Sequence, residues 1–304
     1  MYDLIIIGGG PAGLTASVYA ARKKLIALLI SKDLGGQVNW TGAIENYMGY
    51  QFVDGPELMK KFEEQVKQFP IEIKLGESVT GVKTIENGFN VTTADGKSYQ
   101  SRALIIASGK RPRGLNVPGE DKFIGRGLSY CAICDGPLFS DMNVAVAGGG
   151  NSAVEAVIDL LKIASHIYLI SATELTADPL LIDRIRNSDK VTPLIEHNVL
   201  EISGNKFVEG LKVRDSITGE VKEFKVSAVF VEVGLTPNSD FAREVAQFND
   251  CNEIVVNCEN EVKIPGLFAA GDVTSVPEKQ IVIAAGEGAK AALSANRYLQ
   301  RLKE

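Results

Sequence analysis

The sequence has few cysteines, few histidines and no long apolar run, and each shortage excludes a class of protein. Four cysteines in 304 residues are too few for a disulfide-stabilised extracellular scaffold, so a reducing, cytoplasmic location is predicted. No apolar run reaches the length of a membrane span and the chain enters a strand at once, so we expect neither a membrane anchor nor a signal peptide. The net charge of -6 gives no reason to expect nucleic acid as a partner.

Two of the cysteines form the pattern Cys131-Ala132-Ile133-Cys134, which Asp135 follows directly. Cysteines at this spacing can close a small ring at the start of a helical turn, where one sulfur is stabilised as a nucleophilic thiolate. Asp135 is placed to accept or return a proton. The alternatives are an inert structural disulfide and half of a zinc site.

Zinc needs a second pair of ligands, and the sequence does not supply one. Cys251 and Cys258 are spaced wrongly for such a pair, and we interpret them as packing residues. His166 and His197, the only two histidines, lie in apolar, strand-like runs. We therefore predict a redox-active dithiol and no metal.

A glycine-rich motif, Gly8-Gly9-Gly10-Pro11-Ala12-Gly13, stands between an apolar run at 2–7 and a predicted helix at 14–22. In a strand–turn–helix setting this GxGxxG pattern places a dinucleotide pyrophosphate on the helix N-terminus. The acid that usually follows the second strand is missing, because Ser31 stands there and Asp33 is a weak substitute.

A second motif of the same kind, Gly148-Gly149-Gly150-Asn151-Ser152-Ala153, follows an apolar run at 143–147 and opens a helix to about residue 163. Connectors at 110–119 and 234–238 flank the segment that contains this motif and the dithiol. We interpret the first connector as a solvated hinge, with docking of an acidic partner as the alternative.

These elements predict an α/β protein with two Rossmann-like, three-layer ββα nucleotide-binding domains. The second is inserted in the first and joined to it by a two-stranded hinge. The expected limits are 1–113 and 244–304 for the first domain and 114–243 for the inserted domain.

The end of the second strand in the inserted domain carries no nucleotide-selecting side chain. An NADPH site has arginines there and an NAD site has an acid, but the chain has Ser171-Ala172-Thr173-Glu174, in which Glu174 comes late. We therefore interpret the second glycine motif, with Gly148, Gly150, Asn151, Ser152 and Ala153, as a vestigial or NAD-type loop.

Four further segments are candidates for contact with a flavin. Gly35-Gly36-Gln37 and Glu45-Asn46 place polar amides among glycines, although an ordinary surface loop explains them too. Asp272 follows an apolar run at 264–270, at the strand end where ligands bind. Lys279-Gln280 opens a long helix whose small residues permit either a cofactor or close helix packing.

In this order the motifs resemble the low-molecular-weight thioredoxin reductase family over essentially the whole chain. The segment from Ser129 onward, notably Cys134 to Phe139, is also similar to the C-terminal part of the alkyl hydroperoxide reductase flavoprotein. That relative carries an additional N-terminal thioredoxin-like module, and without one we expect this dithiol to meet a separate protein.

The resemblance implies bound FAD, a homodimer and a thioredoxin or thioredoxin-like partner. It implies that Cys134 faces the flavin, that Cys131 exchanges with the partner disulfide, and that Asp135 is the acid–base group. The residues that it assigns to cofactor binding are Gly8, Gly10, Pro11, Ala12, Gly13, Gly36, Gln37, Asn46, Gly109, Gly271, Asp272, Lys279, Gln280 and Ile281.

One departure from the family concerns the electron donor. The family's cationic segment for NADPH should fall near residues 171–177, where no cation stands. Each missing phosphate contact removes about 1.5–3 kcal/mol, so NADPH is expected to be a poor donor. The chain in this respect resembles ferredoxin-dependent flavin thioredoxin reductases, which makes ferredoxin the expected donor and NADH the next. The alternatives are a flavin-dependent dithiol oxidase, an NADH-dependent reductase of a peroxiredoxin system and a non-enzymatic redox sensor.

Overall fold

Two separate sheets organise the chain, and the computed structural model describes them over residues 1–41, 44 and 46–302. Glu45, one of the candidate flavin contacts, lies outside the described residues. The elements before the inserted segment are β1 Tyr2–Gly9, α1 Pro11–Arg22, β2 Ala27–Leu34, a 3₁₀ helix Gly36–Trp40, α2 Gly55–Val66, β3 Glu72–Leu75, β4 Val79–Ile85, β5 Gly88–Thr93, β6 Ser98–Ile106 and β7 Lys110–Pro112.

The second half of the chain alternates strands and helices in the same way. Its elements are α3 Glu120–Phe123, β8 Leu128–Ser129, α4 Ala132–Asp135, a 3₁₀ helix Gly136–Phe139, β9 Asn143–Ala147, α5 Asn151–Leu160, β10 His166–Ser171, α6 Pro179–Arg186, β11 Val191–Ile195, β12 His197–Gly204, β13 Val208–Asp215, β14 Val221–Phe224, β15 Ala228–Val231, β16 Leu235–Pro237, a 3₁₀ helix Asp240–Ala242, β17 Leu267–Ala269 and α7 Ile281–Arg301.

The first sheet has the strand order β3-β2-β1-β6-β5-β4, with β17 paired to β6. The long strand β6 changes partner along its length: its start pairs antiparallel with β5, and residues 101–106 pair parallel with β1. Helices α1 and α7 pack together on one face. The antiparallel strands at 79–93 are therefore continuous with the parallel, nucleotide-type sheet.

Strand β1 shows why its apolar run has no polar alternation. Leu4 and Ile6 belong to the core on one face of the sheet, whereas Ile5 and Ile7 belong to the core on the other. A strand that is buried on both faces is apolar at every position, as expected for a parallel sheet between two layers.

The second sheet is parallel, with the order β11-β10-β9-β15-β8. On one face, Val146 and Phe230 pack against Val154 and Val157 of α5. The other face packs against the three-stranded antiparallel sheet β12-β13-β14, with Leu211 among the shared core residues. This is the predicted three-layer ββα arrangement.

Strands β7 and β16 pair antiparallel, with Lys110 opposite Pro237 and Pro112 opposite Leu235. They link the two sheets, which confirms an insertion joined by a two-stranded hinge. The predicted domain limits at 113/114 and 243/244 stay predictions, and Ala242 packs with the core of the first sheet.

Two sequence predictions are wrong at the level of local structure. Strand β2 continues to Leu34, so Ser31 and Asp33 lie within it rather than after it. Cys251 and Cys258 are not packing residues, because both are exposed free thiols. Between them only Ile254 makes bridge contacts with other segments, and the cysteines themselves lie at the surface.

Candidate functional site

Cys131 and Cys134 form a disulfide at the junction of β8 and α4, with a Cα–Cα distance of 5.3 Å. The Cys131 N–H donates to Ser129 Oγ at 3.0 Å, and the Cys134 N–H donates to Cys131 Sγ at 3.3 Å. Both cysteines are half-buried, and Ile133 between them is 58% exposed. The disulfide is thus held by the backbone and reachable from outside.

Asp135 ends α4 and is only 6% exposed. Its Oδ1 has no hydrogen-bond partner among the residues that the structure describes. Burial raises the pKa of Asp135, although a hydrogen bond from Ser129 opposes the rise. A cavity of about 30 Å³, roughly room for one water molecule, adjoins it and is lined by Gly127, Ser129, Leu138 and Phe139 among others. A carboxyl group in this setting can hold a proton, as the acid–base prediction requires.

The first glycine motif has the close packing that a dinucleotide loop needs. A side chain on Gly13 would overlap the Gly8 carbonyl oxygen, and Gly8 itself has a φ of +110°. A Cβ on Gly10, in contrast, would meet nothing within 4 Å. The loop therefore leaves open the space in front of α1, where a pyrophosphate approaches the backbone. This cradle fits FAD.

The candidate residues near the end of the chain lie against the same loop. A Cβ on Gly271 would come within 3.0 Å of the Ala12 side chain, and α7 packs its Gly288 directly on the Ala12 backbone. Asn46 Nδ2 donates to Gln280 Oε1 at 3.2 Å, across 234 residues of sequence. The remaining candidates are placed as follows: Pro11 is the first residue of α1, Gln37 lies in the 3₁₀ helix that Gly36 begins, Gly109 follows β6, and Ile281 is the first residue of α7.

Asp272 follows β17 in a buried setting that contains two cations. Burial raises the pKa of Asp272, while Lys279 and Lys110 oppose the rise. Lys110 Nζ lies 2.5 Å from Glu253 Oε1 and Lys279 Nζ lies 3.2 Å from the same oxygen. The Lys110 side chain is only 9% exposed, so the prediction of a solvated hinge is wrong for this residue.

The second glycine motif has the same backbone form but different surroundings. Asn151 and Ser152, at the start of α5, are exposed. The segment after β10 folds back on the loop, since the Thr176 N–H donates to the Gly149 carbonyl oxygen at 2.8 Å and the Asp178 N–H donates to Asn151 Oδ1 at 2.8 Å. No lysine or arginine occurs between residues 171 and 178 to meet a phosphate.

Glu232 is a residue that the sequence patterns did not single out. It follows β15 at the carboxyl end of the second sheet, beside Gly148. Burial raises the pKa of Glu232 to about 7. The Ala132 N–H lowers this pKa, and the negative charge of Glu155 raises it. The available signal was its position directly after a buried strand, which is the argument that singled out Asp272.

Comparison with known proteins decides the family. The model of the family described as pyridine nucleotide-disulphide oxidoreductase matches residues 2–288. The chain belongs to this family. Its solved relatives include the thioredoxin reductase of Streptococcus pyogenes, which is 38% identical, covers 99% of both chains and superimposes with a TM-score of 0.94. The family and these neighbours are flavoproteins, and FAD is the cofactor of this chain.

Two further relatives add detail. The thioredoxin reductase of Lactococcus lactis, in a structure described as the FR conformation, is 34% identical over 99% of this chain but has a TM-score of 0.69. The F subunit of the alkyl hydroperoxide reductase of Pseudomonas putida is 43% identical over 99% of this chain. This chain spans about three-fifths of the length of the curated relatives it matches, 58% in that case and 59% for the 40% identical protein of Staphylococcus aureus.

Two kinds of feature do not occur among the described residues. None of the helices in that part of the chain is both long and apolar enough to cross a membrane. Across the same residues, no group of three or more histidine, cysteine or acidic side chains is arranged to hold a metal ion.

Proposed function

We propose that this chain is a flavoprotein reductase of protein disulfides that serves thioredoxin or a thioredoxin-like protein and takes its electrons from a donor other than NADPH. The observation that carries the proposal is the half-buried Cys131–Cys134 disulfide, in a domain joined to the FAD-binding domain by the β7–β16 hinge. Bound FAD supplies the electron pair that reduces this disulfide. We also propose that the protein is a cytoplasmic homodimer.

The two sulfurs have different surroundings, which supports different roles for them. The Cys134 N–H donates to Cys131 Sγ, so a negative charge on Cys131 is stabilised. In the proposed exchange, the Cys131 thiolate attacks the partner disulfide and forms a mixed disulfide. Cys134 then attacks Cys131, which restores the internal disulfide and releases the partner as a dithiol; the two protons that Cys131 and Cys134 lose balance the two that the partner sulfurs take up.

The hinge provides the movement that this exchange needs. A disulfide that lies against a flavin cannot touch a protein partner at the same time, so the inserted domain has to turn between the two steps. The relatives support two arrangements: superpositions of nearly equal coverage and similar identity give TM-scores of 0.94 and 0.69, as expected when large units are placed differently.

The surroundings of the second glycine motif disfavour the phosphate groups of a nucleotide donor and therefore favour a donor that is not a nucleotide. The ionisable groups around this motif include the carboxyls of Glu155, Glu174 and Glu232, which disfavour an anion. We propose reduced ferredoxin as the donor and rank NADH second.

The first test replaces Cys131 by Ser and, separately, Cys134 by Ser. Each variant should retain FAD and lose thioredoxin-dependent reduction of insulin disulfides by at least about 1,000-fold, because the exchange needs both sulfurs. A double Cys251→Ser/Cys258→Ser variant is the matched control and should retain turnover. Turnover that persists in Cys131→Ser contradicts the proposal.

The second test compares donors in the absence of oxygen. NADPH, NADH and reduced ferredoxin are mixed separately with the protein, and the loss of flavin absorbance is followed over time. We expect fast bleaching by ferredoxin and slow bleaching by NADPH. Fast bleaching at low NADPH concentration would show that the interpretation of residues 171–177 is wrong.

A second candidate function is the reduction of a peroxiredoxin system. The observation that favours it is the 40–43% identity to the F subunits of alkyl hydroperoxide reductases. Peroxide consumption with a peroxiredoxin, measured with and without added thioredoxin, separates the two functions. Rapid oxygen consumption with a small dithiol would instead indicate a dithiol oxidase.

A further inference from the structure

Glu232 and Cys131 lie next to each other at one edge of the second sheet. Strands β8 and β15 are parallel neighbours, and the last pair in their register is Ser129 with Phe230. Cys131 and Glu232 each come two residues later. Because neighbouring strands are about 4.8 Å apart, the chain leaves the sheet toward Cys131 and toward Glu232 from adjacent positions.

The same residue also borders the glycine motif. Val231 pairs with Ala147 of β9, so Glu232 stands beside Gly148. Its N–H donates to the Ala147 carbonyl oxygen at 2.8 Å, and a side chain on Gly148 would overlap its carbonyl oxygen. The backbone of Glu232 is therefore fixed between the dithiol on one side and the glycine-rich loop on the other.

The carboxyl group of Glu232 lies toward α4. The Ala132 N–H, which directly follows Cys131, acts on it from α4, and the carboxylate of Glu155 acts on it from α5. The raised pKa described above means that this carboxyl group exchanges its proton near neutrality. Asp135, at the other end of α4, adjoins the small cavity beside Ser129, so the two acids serve the dithiol from different elements.

We propose that Glu232 supplies one of the two protons that enter when the Cys131–Cys134 disulfide is reduced, and takes it back when the dithiol is oxidised. Reduction breaks the S–S bond, and the two added electrons leave each sulfur with a free pair. One proton passes from the Glu232 carboxyl group to Cys131, which leaves a carboxylate, and the second proton comes from Asp135. The electrons come from the flavin in the proposed function, on whose disulfide exchange this inference rests, and from dithiothreitol in the test.

The test measures thiolate formation without donor or thioredoxin. FAD-containing protein with Cys251→Ser and Cys258→Ser is reduced with dithiothreitol, which is then removed without oxygen. The rate at which iodoacetamide alkylates Cys131 is measured by mass spectrometry at a series of pH values around neutrality. The Glu232→Gln variant is compared with the protein that retains Glu232 and with a Glu174→Gln variant. Glu174 is an exposed acid near the same edge of the sheet.

The unchanged protein should show two inflections, one of them near pH 7, the pH at which Glu232 titrates. Glu232→Gln should show one inflection and react about three- to ten-fold faster between pH 7 and that inflection, because no neighbouring negative charge then disfavours the thiolate. Glu174→Gln should match the unchanged protein. An equal shift in Glu174→Gln, or a single inflection in the unchanged protein, overturns the proposal.

Two further measurements separate a folding defect from the loss of the proton donor. FAD content reports whether Glu232→Gln is folded, and Glu232→Asp, which keeps a carboxyl group, should restore the second inflection. If it does not, the proposal is wrong. Failure to reduce thioredoxin would contradict the proposed function but leave the alkylation profile intact, so the two failures are distinguishable.

Discussion

The two glycine motifs of this chain have the same backbone form and opposite electrostatic surroundings. The first opens α1 in a region where Lys110 and Lys279 lie beside Asp272. The second opens α5 beside Glu232 and Glu155, with no cation between residues 171 and 178. Glycine spacing therefore establishes the same fold in both places, but lysines accompany the carboxylates only in the first region.

The fixation of the two loops differs as well. Ser31 Oγ accepts from the Gly9 N–H at 2.8 Å and donates to the Asp33 carbonyl oxygen, which ties the first loop to β2. In the second domain the Ser171 hydroxyl donates to the Thr173 carbonyl oxygen at 2.7 Å. Ser31, within β2, thus ties the first loop to its strand, whereas the bond of Ser171, at the end of β10, stays within the turn that follows that strand.

The largest expected effect comes from adding one methyl group to each loop, which should change the first loop and not the second. Gly10 and Gly150 both have ordinary negative φ values, and a Cβ on either would meet no protein atom closer than 3.9 Å. Gly10→Ala should fold but weaken FAD binding at least about 100-fold, or about 3 kcal/mol, because the methyl group occupies the approach of the pyrophosphate. Gly150→Ala should retain both FAD and turnover.

Flavin content after dialysis and the FAD concentration that restores absorbance measure both variants. Full FAD occupancy in Gly10→Ala would remove the distinction between the loops. Loss of turnover in Gly150→Ala with FAD retained would show that the second loop still binds a nucleotide donor.

The second prediction concerns the carboxylate of the cationic region. Burial alone would raise the pKa of Glu253, but Lys110, Asn249 and Lys279 outweigh burial and hold it below its usual range. Glu253→Gln leaves Lys110 buried without its charge partner, and should lower the free energy of unfolding by about 3–5 kcal/mol. The stabilisation by Glu253 is present above the unfolded-state pKa and disappears as the pH falls through the folded-state pKa.

Urea unfolding at pH 7 and at acidic pH measures this loss, with exposed Glu244→Gln as the control. A loss below about 1 kcal/mol would mean that the Lys110–Glu253 pair is no stronger than a surface ion pair.

The third prediction concerns Glu232, whose replacement should raise the free energy of unfolding rather than lower it. Burial raises the pKa of Glu232 from 4.5 to about 7, so the folded state disfavours its charged form. The cost is absent below the unfolded-state pKa and complete above the folded-state pKa. Glu232→Gln should therefore stabilise the protein by about 2–3 kcal/mol at pH 8 and leave it unchanged at pH 4. Equal stability at both pH values would show that Glu232 is well solvated.

The local elements were predictable because each has a signal within a few residues. The strand at 143–147 has the same bounds in the structure, since an apolar run ending in glycines has few alternatives. The Cys131–Cys134 disulfide followed from two cysteines at one spacing. Both glycine motifs open helices as predicted, because glycine at their first position permits the turn between strand and helix.

Features that depend on strand order or on distant partners were not predictable. Lys110 and Glu253 are 143 residues apart, so no local pattern joins them. Glu232 borders Cys131 only because β15 lies between β9 and β8, an order that the sequence does not display. Apolar residues stand on both sides of Glu232, so the sequence pattern predicts a strand that continues past Val231, where the strand ends. Glu232 is therefore not recognisable from the sequence as the residue that follows the strand.

The smallest expected effect concerns the cysteines of the first domain. Cys251 and Cys258 are exposed and unpaired, whereas Cys131 and Cys134 are joined and half-buried. Thiol titration of the oxidised protein should count two thiols, and titration after reduction and denaturation should count all four. Replacing Cys251 and Cys258 by serine should change stability by less than about 0.5 kcal/mol and leave turnover unchanged, because exposed side chains without partners contribute little. A count of zero in the oxidised protein would mean that these thiols also form a disulfide, and the redox chemistry would then extend to the FAD-binding domain.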